Sequence, residues 1–213
     1  MIRINKGQEP NEWRQYRLTP KAKYEATPEL RKALLMEQGY ICAYCMRRIP
    51  IKDKNSNETS RIDHIECRTD NEDKELDYSN MVICCPGSID GNFHCDKKKG
   101  KTNIHFTLFD DHFINTISYE TNSGKIKSSN SVLNNEINTI LNLNNALLQL
   151  SRKQVIEAIR IILEKKQWAN AQLKSKLSEW KSFDNEHRLK EYCGVVIWYL
   201  TKKLKAQQSR LYV

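Results

Sequence analysis

The sequence lacks any long hydrophobic run. No apolar stretch approaches the roughly 18 residues that a membrane-spanning helix needs. Residues 1–6 also lack the apolar stretch of a secretory signal peptide. We therefore expect a cytoplasmic protein, in which reducing conditions keep thiols free. No internal repeat is visible, and no aromatic-rich stacking surface distinguishes DNA from RNA as a partner.

Charged residues are abundant, and the basic ones dominate. The chain of 213 residues has 29% charged and 39% hydrophobic residues, enough apolar material for a buried core. Its 35 Lys and Arg against 26 Asp and Glu give a formal net charge of +9. This excess favours a polyanionic partner without identifying it, and an ordinary lysine-rich surface explains it equally well.

Seven cysteines are the most informative part of the composition. In a reducing compartment they favour metal ligands or buried thiols over disulfides. Cys42 and Cys45 have the spacing of a zinc knuckle, in which two thiolates reach one ion from a tight turn. Four-coordination requires a second pair, for which we prefer Cys85 and Cys95. The alternative is that these are buried free thiols.

The second half of this metal site is unconventional. Nine residues separate Cys85 from Cys95, whereas paired zinc ligands are usually about two to four residues apart. His94 could therefore replace Cys95, and Cys84 could replace Cys85.

A second group of residues has the composition of a phosphodiester-cleaving site. Residues 61–65 alternate between polar and apolar, which predicts a half-buried strand with Asp63 and His64 on opposite faces. Asn80 precedes an apolar run, and Asp96 lies at the start of a predicted short helix. A histidine can act as a general base near neutral pH, and aspartates are hard ligands for Mg²⁺ or Mn²⁺.

Three lysines complete this group of candidate residues. Lys97, Lys98 and Lys99 could hold flanking phosphates as point charges. Each candidate also has a structural explanation. An Asp-His pair often lies on the protein surface, Asn80 could cap a turn, and Asp96 could cap a helix. Their joint occurrence between the two halves of a cysteine site favours the catalytic interpretation.

The order of these motifs resembles the HNH endonucleases, which have a ββα-metal fold. The resemblance implies that His64 is the general base, that Asp63 and Asp96 bind the catalytic divalent ion, and that Asn80 braces the loop between the strands. It also implies a structural zinc outside the reaction. The motifs that carry the resemblance are Cys42-x2-Cys45, Asp63-His64, Asn80-Met81, Cys85 and Cys95-Asp96-x2-Lys99-Gly100.

A narrower resemblance is to the PtuB nucleases of Septu antiphage systems, which also occur in some retrons. It depends on residues 37–45, on the long segment between the second pair of cysteines, and on the Leu-Asn-Leu-Asn motif at 141–144. This resemblance implies a partner ATPase of the ABC/SMC type (PtuA). In retrons it also implies a reverse transcriptase with its multicopy single-stranded DNA.

The sequence predicts an α+β fold in two parts. We expect a zinc-stabilised HNH nuclease domain with an N-terminal extension over residues 1–128, and a helical lobe that docks the partner over residues 129–213. Thr27 and Pro28 predict a helix start. Residues 104–109 and 113–119 are predicted strands, and residues 52–60 a polar loop.

These expectations combine into one function and one rival. The function is a metal-dependent endonuclease that acts as a toxic effector in phage defence under the control of its ATPase, with DNA favoured over RNA. A structured RNA such as tRNA is the alternative substrate. The rival is a zinc-binding adaptor that holds nucleic acid or protein without cutting it.

Overall fold

A computed structural model describes residues 1–50, 60–89 and 91–210 of the chain. Helices and three two-stranded antiparallel sheets alternate within these ranges, so the predicted mixture of α and β structure is present. The helices are α1 (Asn11–Arg17), α2 (Pro28–Glu37), α3 (Cys95–Lys99), α4 (Asp111–Ile114), α5 (Ser131–Asn135), α6 (Ala146–Glu164), α7 (Asn170–Lys181) and α8 (Cys193–Arg210). The strands are β1 (Arg61–His64), β2 (Met81–Cys84), β3 (Ser88–Ile89), β4 (Asn92–Phe93), β5 (Ile117–Tyr119) and β6 (Ile126–Ser128).

Helix α2 begins where the local sequence predicts. The Thr27 hydroxyl accepts a hydrogen bond from the backbone N–H of Leu30 at 3.2 Å, and Pro28 is the first helical residue. Gly39 follows the helix with φ of 59°. A Cβ at Gly39 would come within 2.6 Å of the Leu189 side chain, so glycine also allows the region around residue 189 to pack here.

Strands β1 and β2 form the hairpin that positions the site. They pair antiparallel with Asp63 opposite Val82 and His64 opposite Met81. Helix α2 packs against β2. Two short 3₁₀ turns, Glu72–Lys74 and Tyr78–Asn80, lie in the connection between the strands. Strand β1 agrees with the strand predicted over residues 61–65, and β2 occupies the apolar run that follows Asn80. Most of the loop predicted over residues 52–60 lies outside the described residues.

The strands predicted over residues 104–109 and 113–119 are largely wrong. The first segment buries alternate apolar residues, as a strand would, but it pairs with no strand in the described part of the chain. The second predicted strand, residues 113–119, begins inside helix α4. This helix is capped by Asp110, whose carboxylate accepts a hydrogen bond from the backbone N–H of His112 at 2.9 Å. Strand β5 therefore occupies only the end of the predicted segment.

Long helices dominate the chain after residue 128, as predicted. Helix α8 packs against both α6 and α7. On α6, Leu148, Ile159 and Leu163 are buried, whereas Ile162 is 40% exposed. None of the helices in the described ranges has the length and apolarity to cross a membrane.

Contacts extend across the predicted boundary at residue 128. The rings of Tyr119 and Trp198 meet edge to face at 5.5 Å, and the backbone N–H of Tyr192 donates to Met46 O at 3.0 Å. The division into two domains stays a prediction, because the buried apolar residues form a cluster that includes both parts.

Candidate metal centre and adjoining polar cleft

Four buried cysteines come together, and they are the four preferred from the sequence. The Sγ atoms of Cys42, Cys45, Cys85 and Cys95 lie within 4.8 Å of one another. The Cys42–Cys95 and Cys45–Cys85 separations are 3.8 and 3.7 Å. Zn–S bonds of about 2.3 Å in a tetrahedron require S–S distances of about 3.8 Å. The four thiols could therefore hold a structural metal such as zinc.

The first pair of cysteines lies on a tight turn. Ile41 and Arg48 form an antiparallel bridge, and the backbone N–H of Cys42 donates to Arg47 O at 2.9 Å. Met46 closes the turn with φ of 63°. Two thiols three residues apart thus face the same interior point, as the knuckle spacing predicts.

The alternative ligands take other positions. Cys84, the last residue of β2, is buried but lies outside the group of four. The Nε2 atom of His94 lies 3.5 Å from Cys85 Sγ, so its ring borders one of the grouped thiols. Burial raises the pKa of the Cys45 and Cys95 thiols well above the usual value. Hydrogen bonds from the neighbouring thiols outweigh burial at Cys42 and lower its pKa, and hydrogen bonds from Cys45 and Cys95 lower the pKa of Cys85 to about 7. A cation would stabilise all four as thiolates.

A polar cleft of about 220 Å³ adjoins this centre. Two short segments connect the cysteines to it, because Tyr44 lies between the first pair and Asp96 directly follows Cys95. Asp63, His64, Asp96 and Lys99 line this cleft, whereas the other predicted site residues, Asn80, Lys97 and Lys98, do not. Its full lining is Tyr24, Arg61, Ile62, Asp63, His64, Cys67, Arg68, Thr69, Asp96, Lys99, Gly100 and Lys101.

Asp63 is buried and engaged on both carboxylate oxygens. The Lys99 ammonium lies 2.9 Å from Oδ1, and the Tyr44 hydroxyl donates to Oδ2 at 2.5 Å. Lys99 also donates to the backbone carbonyl of His64 at 2.8 Å. Burial raises the pKa of the Asp63 carboxyl, and the Lys99 ammonium opposes that change.

His64 is held in one tautomer by the backbone. Its Nε2 atom lies 2.9 Å from the carbonyl oxygen of Glu75, which can only accept a hydrogen bond. Nε2 therefore carries the proton, and Nδ1 is the basic nitrogen. The ring meets Tyr24 edge to face at 4.7 Å. Burial lowers the pKa of His64, so the imidazole is neutral at neutral pH.

Asn80 ties the connection between β1 and β2 together. Its side-chain oxygen accepts from the backbone N–H of Glu66 at 2.8 Å. Its amide nitrogen donates to Glu66 O at 2.9 Å and to Lys74 O at 3.3 Å. These three hydrogen bonds hold the loop between the two strands.

The acidic and basic residues of α3 divide between two faces. Asp96 is buried and accepts a hydrogen bond from Arg61 Nε. Lys97 and Lys98 are exposed, whereas Lys99 is buried against Asp63. The three lysines therefore do not form one exposed row, because residues 96 and 99 are three apart and share a helix face.

Sequence reasoning assigned Lys99 to phosphate binding and missed its pairing with Asp63, and it missed Tyr44, whose hydroxyl also contacts Asp63. The signal for Lys99 was its spacing from Asp96, hidden within a run of identical residues. The position of Tyr44 between two predicted metal ligands was a signal as well.

No protein family model matches the chain, and no curated protein matches it. The chemistry of the cleft is therefore argued from its own residues. A neutral imidazole with a defined basic nitrogen, two aspartates and several cations can remove a proton from water next to an anionic phosphate.

Proposed function

We propose that the chain is a metal-dependent endonuclease of the HNH type that hydrolyses phosphodiester bonds, with DNA favoured over RNA. The observation that carries the proposal is that His64, Asp63 and Asp96 line one cleft beside a group of four cysteines. The order of hairpin β1–β2 followed by helix α3 supports a ββα-metal arrangement, although the β3–β4 hairpin intervenes.

The residues of the cleft suit a hard divalent ion in type and number. Mg²⁺ usually takes only one or two carboxylates and fills its remaining positions with water and phosphate oxygens. Asp63 and Asp96 would hold it. Bound there, Mg²⁺ or Mn²⁺ would polarise the scissile phosphate and stabilise the departing oxygen.

The chain's own residues supply the proton transfer. His64 Nδ1 accepts a proton from water while the water oxygen forms its bond to phosphorus, and the bond from phosphorus to the leaving oxygen breaks. The Glu75 carbonyl keeps the imidazole oriented through Nε2. General base catalysis of this kind contributes about 10²- to 10⁴-fold to the rate.

The four cysteines would hold zinc in a structural role. A site of four thiolates at tetrahedral distances is typical of zinc or an iron–sulfur cluster, and separate ligands on a turn and a helix are typical of structural zinc. Because Tyr44 and Asp96 are chain neighbours of its ligands, the zinc would also fix the adjoining cleft.

The resemblance to PtuB nucleases extends the proposal to phage defence. On this basis the chain is a toxic effector restrained by an ATPase of the ABC/SMC type, with residues 129–213 as the docking region. A retron reverse transcriptase with its multicopy single-stranded DNA is a further partner. Co-expression of the full-length chain with the ATPase, followed by co-purification, tests these partners, and recovery of the chain without the ATPase would contradict the PtuA assignment.

The central experiment is cleavage of plasmid DNA and of tRNA with Mg²⁺ or Mn²⁺, with and without a chelator. We expect cleavage of DNA that the chelator stops, and a loss of about 10²-fold or more in His64→Ala. His112→Ala is the matched control, because His112 is exposed on α4. Equal cleavage by His64→Ala and wild type would overturn the assignment of the base.

The rival function is a zinc-dependent binding module that does not cut. The observation that favours it is that both aspartates already have basic partners, Lys99 for Asp63 and Arg61 for Asp96. Under this alternative, DNA or protein is retained in a binding assay, and intact nucleic acid is recovered with every divalent ion tested.

A further inference from the structure

A small pocket on the helical part of the chain lies outside the polar cleft. It has a volume of about 280 Å³ and is lined by Trp168, Lys203, Ala206 and Gln207. Trp168 comes from the turn between α6 and α7, and the other three residues come from α8. The pocket combines an aromatic ring, a cation and an amide.

The turn that presents Trp168 has an unusual backbone. Gln167 and Trp168 have φ of 51° and 55°, two consecutive residues in the left-handed region. The backbone N–H of Trp168 donates to Leu163 O at 3.0 Å, and Gln207 Nε2 donates to Trp168 O at 2.9 Å. Contacts from α6 and α8 therefore stabilise a backbone conformation that non-glycine residues seldom adopt. They keep the Trp168 indole half-buried beside α8.

The charged group of the pocket suits a ligand that carries negative charge. Gln207 positions the pocket wall through its bond to Trp168 O and takes no part in contacting a ligand, because its remaining acceptor, Oε1, is buried. Lys203 Nζ lies 4.8 Å from the centre of the Trp168 ring and 5.4 Å from that of Tyr199. Further lysines lie nearby in the chain: Lys165, Lys166, Lys202 and Lys205.

We propose that this pocket binds one nucleobase of a single-stranded nucleic acid. The base stacks on Trp168, and Lys203 contacts the neighbouring phosphate. Every base has an aromatic face, so the pocket discriminates weakly between sequences. The inference deepens the proposed function by adding a binding site for the substrate strand, and the site operates without cleavage.

The test measures fluorescence anisotropy of a labelled single-stranded 12-mer with chelator present, so that no strand is cut. Wild-type protein is compared on DNA, on RNA and on an abasic strand that has the same phosphates without bases. We expect the abasic strand to bind at least about fivefold more weakly, because stacking contributes that much or more per base. Equal affinity for normal and abasic strands would overturn the proposal without any variant.

Variants locate the effect at the pocket. Trp168→Ala should weaken binding of the normal strand at least about fivefold and leave the abasic strand unchanged, while Trp168→Phe should keep most of the affinity. Trp180→Ala is the matched control, because Trp180 is also half-buried with a lysine, Lys190, 5.9 Å from its ring. Equal losses in Trp168→Ala and Trp180→Ala would contradict the site.

The outcome is distinguishable from a failure of the proposed endonuclease. The binding assay contains chelator, so it reports on the pocket whether or not the polar cleft cleaves nucleic acid. Base-dependent binding without cleavage by wild type supports the pocket and removes the endonuclease. Cleavage without base-dependent binding supports the endonuclease and overturns the proposed pocket.

Discussion

Lys99 and Asp63 form a buried ion pair inside the polar cleft. The ammonium lies 2.9 Å from the carboxylate, and the two side chains are only 1% and 4% exposed. A charge in this position must be paired, because an isolated buried charge is costly. The same carboxylate is the one proposed to bind a divalent ion, so the chain supplies a cation that competes with the metal.

Lys99→Met should therefore tighten divalent-ion binding. Removing the Lys99 charge beside Asp63 relieves its repulsion of an ion that Asp63 would hold, and we expect a gain of about tenfold or more in affinity. Binding of Mn²⁺ measured by electron paramagnetic resonance checks this. The variant should also be less stable than wild type without metal, because Asp63 loses its partner.

The control for Lys99→Met is Lys98→Met, which makes the same change of charge at an exposed position on the same helix. We expect Lys98→Met to change Mn²⁺ affinity by less than about threefold, because solvent screens exposed charges. Unchanged or weaker Mn²⁺ binding in Lys99→Met would mean that the lysine does not compete with the ion.

Replacement of one cysteine should distinguish the four metal ligands from their neighbours. Cys85→Ser should lose most of the bound metal and unfold at a lower temperature, because structural zinc contributes directly to folding. Cys84→Ser is the matched neighbour, buried but outside the group. Elemental analysis of the purified variants checks both, and a Cys84→Ser protein without metal would reverse the choice between them.

The cysteines of the metal centre and the Asp-His pair of the cleft could be recognised in the sequence because their patterns are local. Cys42 and Cys45 are three residues apart, and Asp63 and His64 are adjacent, so a few residues carry each pattern. The choice of Cys85 over Cys84 was a preference until the turn, the hairpin and α3 brought four sulfur atoms together. Which distant segments meet depends on tertiary packing, which spacing alone does not define.

The parts that sequence reasoning missed depend on contacts between distant segments. Residues 104–109 have the alternation of a strand, but a strand also needs a partner, and the described residues provide none. Lys99 looked like one of three equivalent lysines, although the helix directs it towards Asp63, which is 36 residues away. The run of lysines in the sequence indicates positive charge at this position. Only the fold shows that Lys99 neutralises Asp63.

Asn80→Ala should destabilise the hairpin that carries His64. The substitution removes three hydrogen bonds to the backbone of the connecting loop. Because the freed backbone groups are partly buried, we expect a loss of about 2–4 kcal/mol in the free energy of unfolding. Urea denaturation measures it, with the exposed Asn115→Ala as a control that should stay within about 0.5 kcal/mol of wild type.

Arg152 joins the helical part of the chain to the metal centre. It is buried on α6, and its guanidinium donates to Gly124 O at 2.6 Å and to Leu143 O at 2.8 Å. Two residues before Leu143, the carbonyl of Leu141 accepts from the backbone N–H of Cys95 at 2.9 Å. The arginine thus holds the segment that in turn holds a proposed zinc ligand.

Arg152→Met should therefore lower both stability and metal retention. It keeps a long side chain but leaves buried carbonyl groups without donors, at a cost of about 1–3 kcal/mol for each group. Arg160→Met, on the same helix but exposed, should change the unfolding free energy by less than about 1 kcal/mol. Urea denaturation and the rate of metal loss to a chelating dye measure the two effects. If Arg152→Met unfolds earlier but releases metal at the wild-type rate, the segment supports the core without holding Cys95.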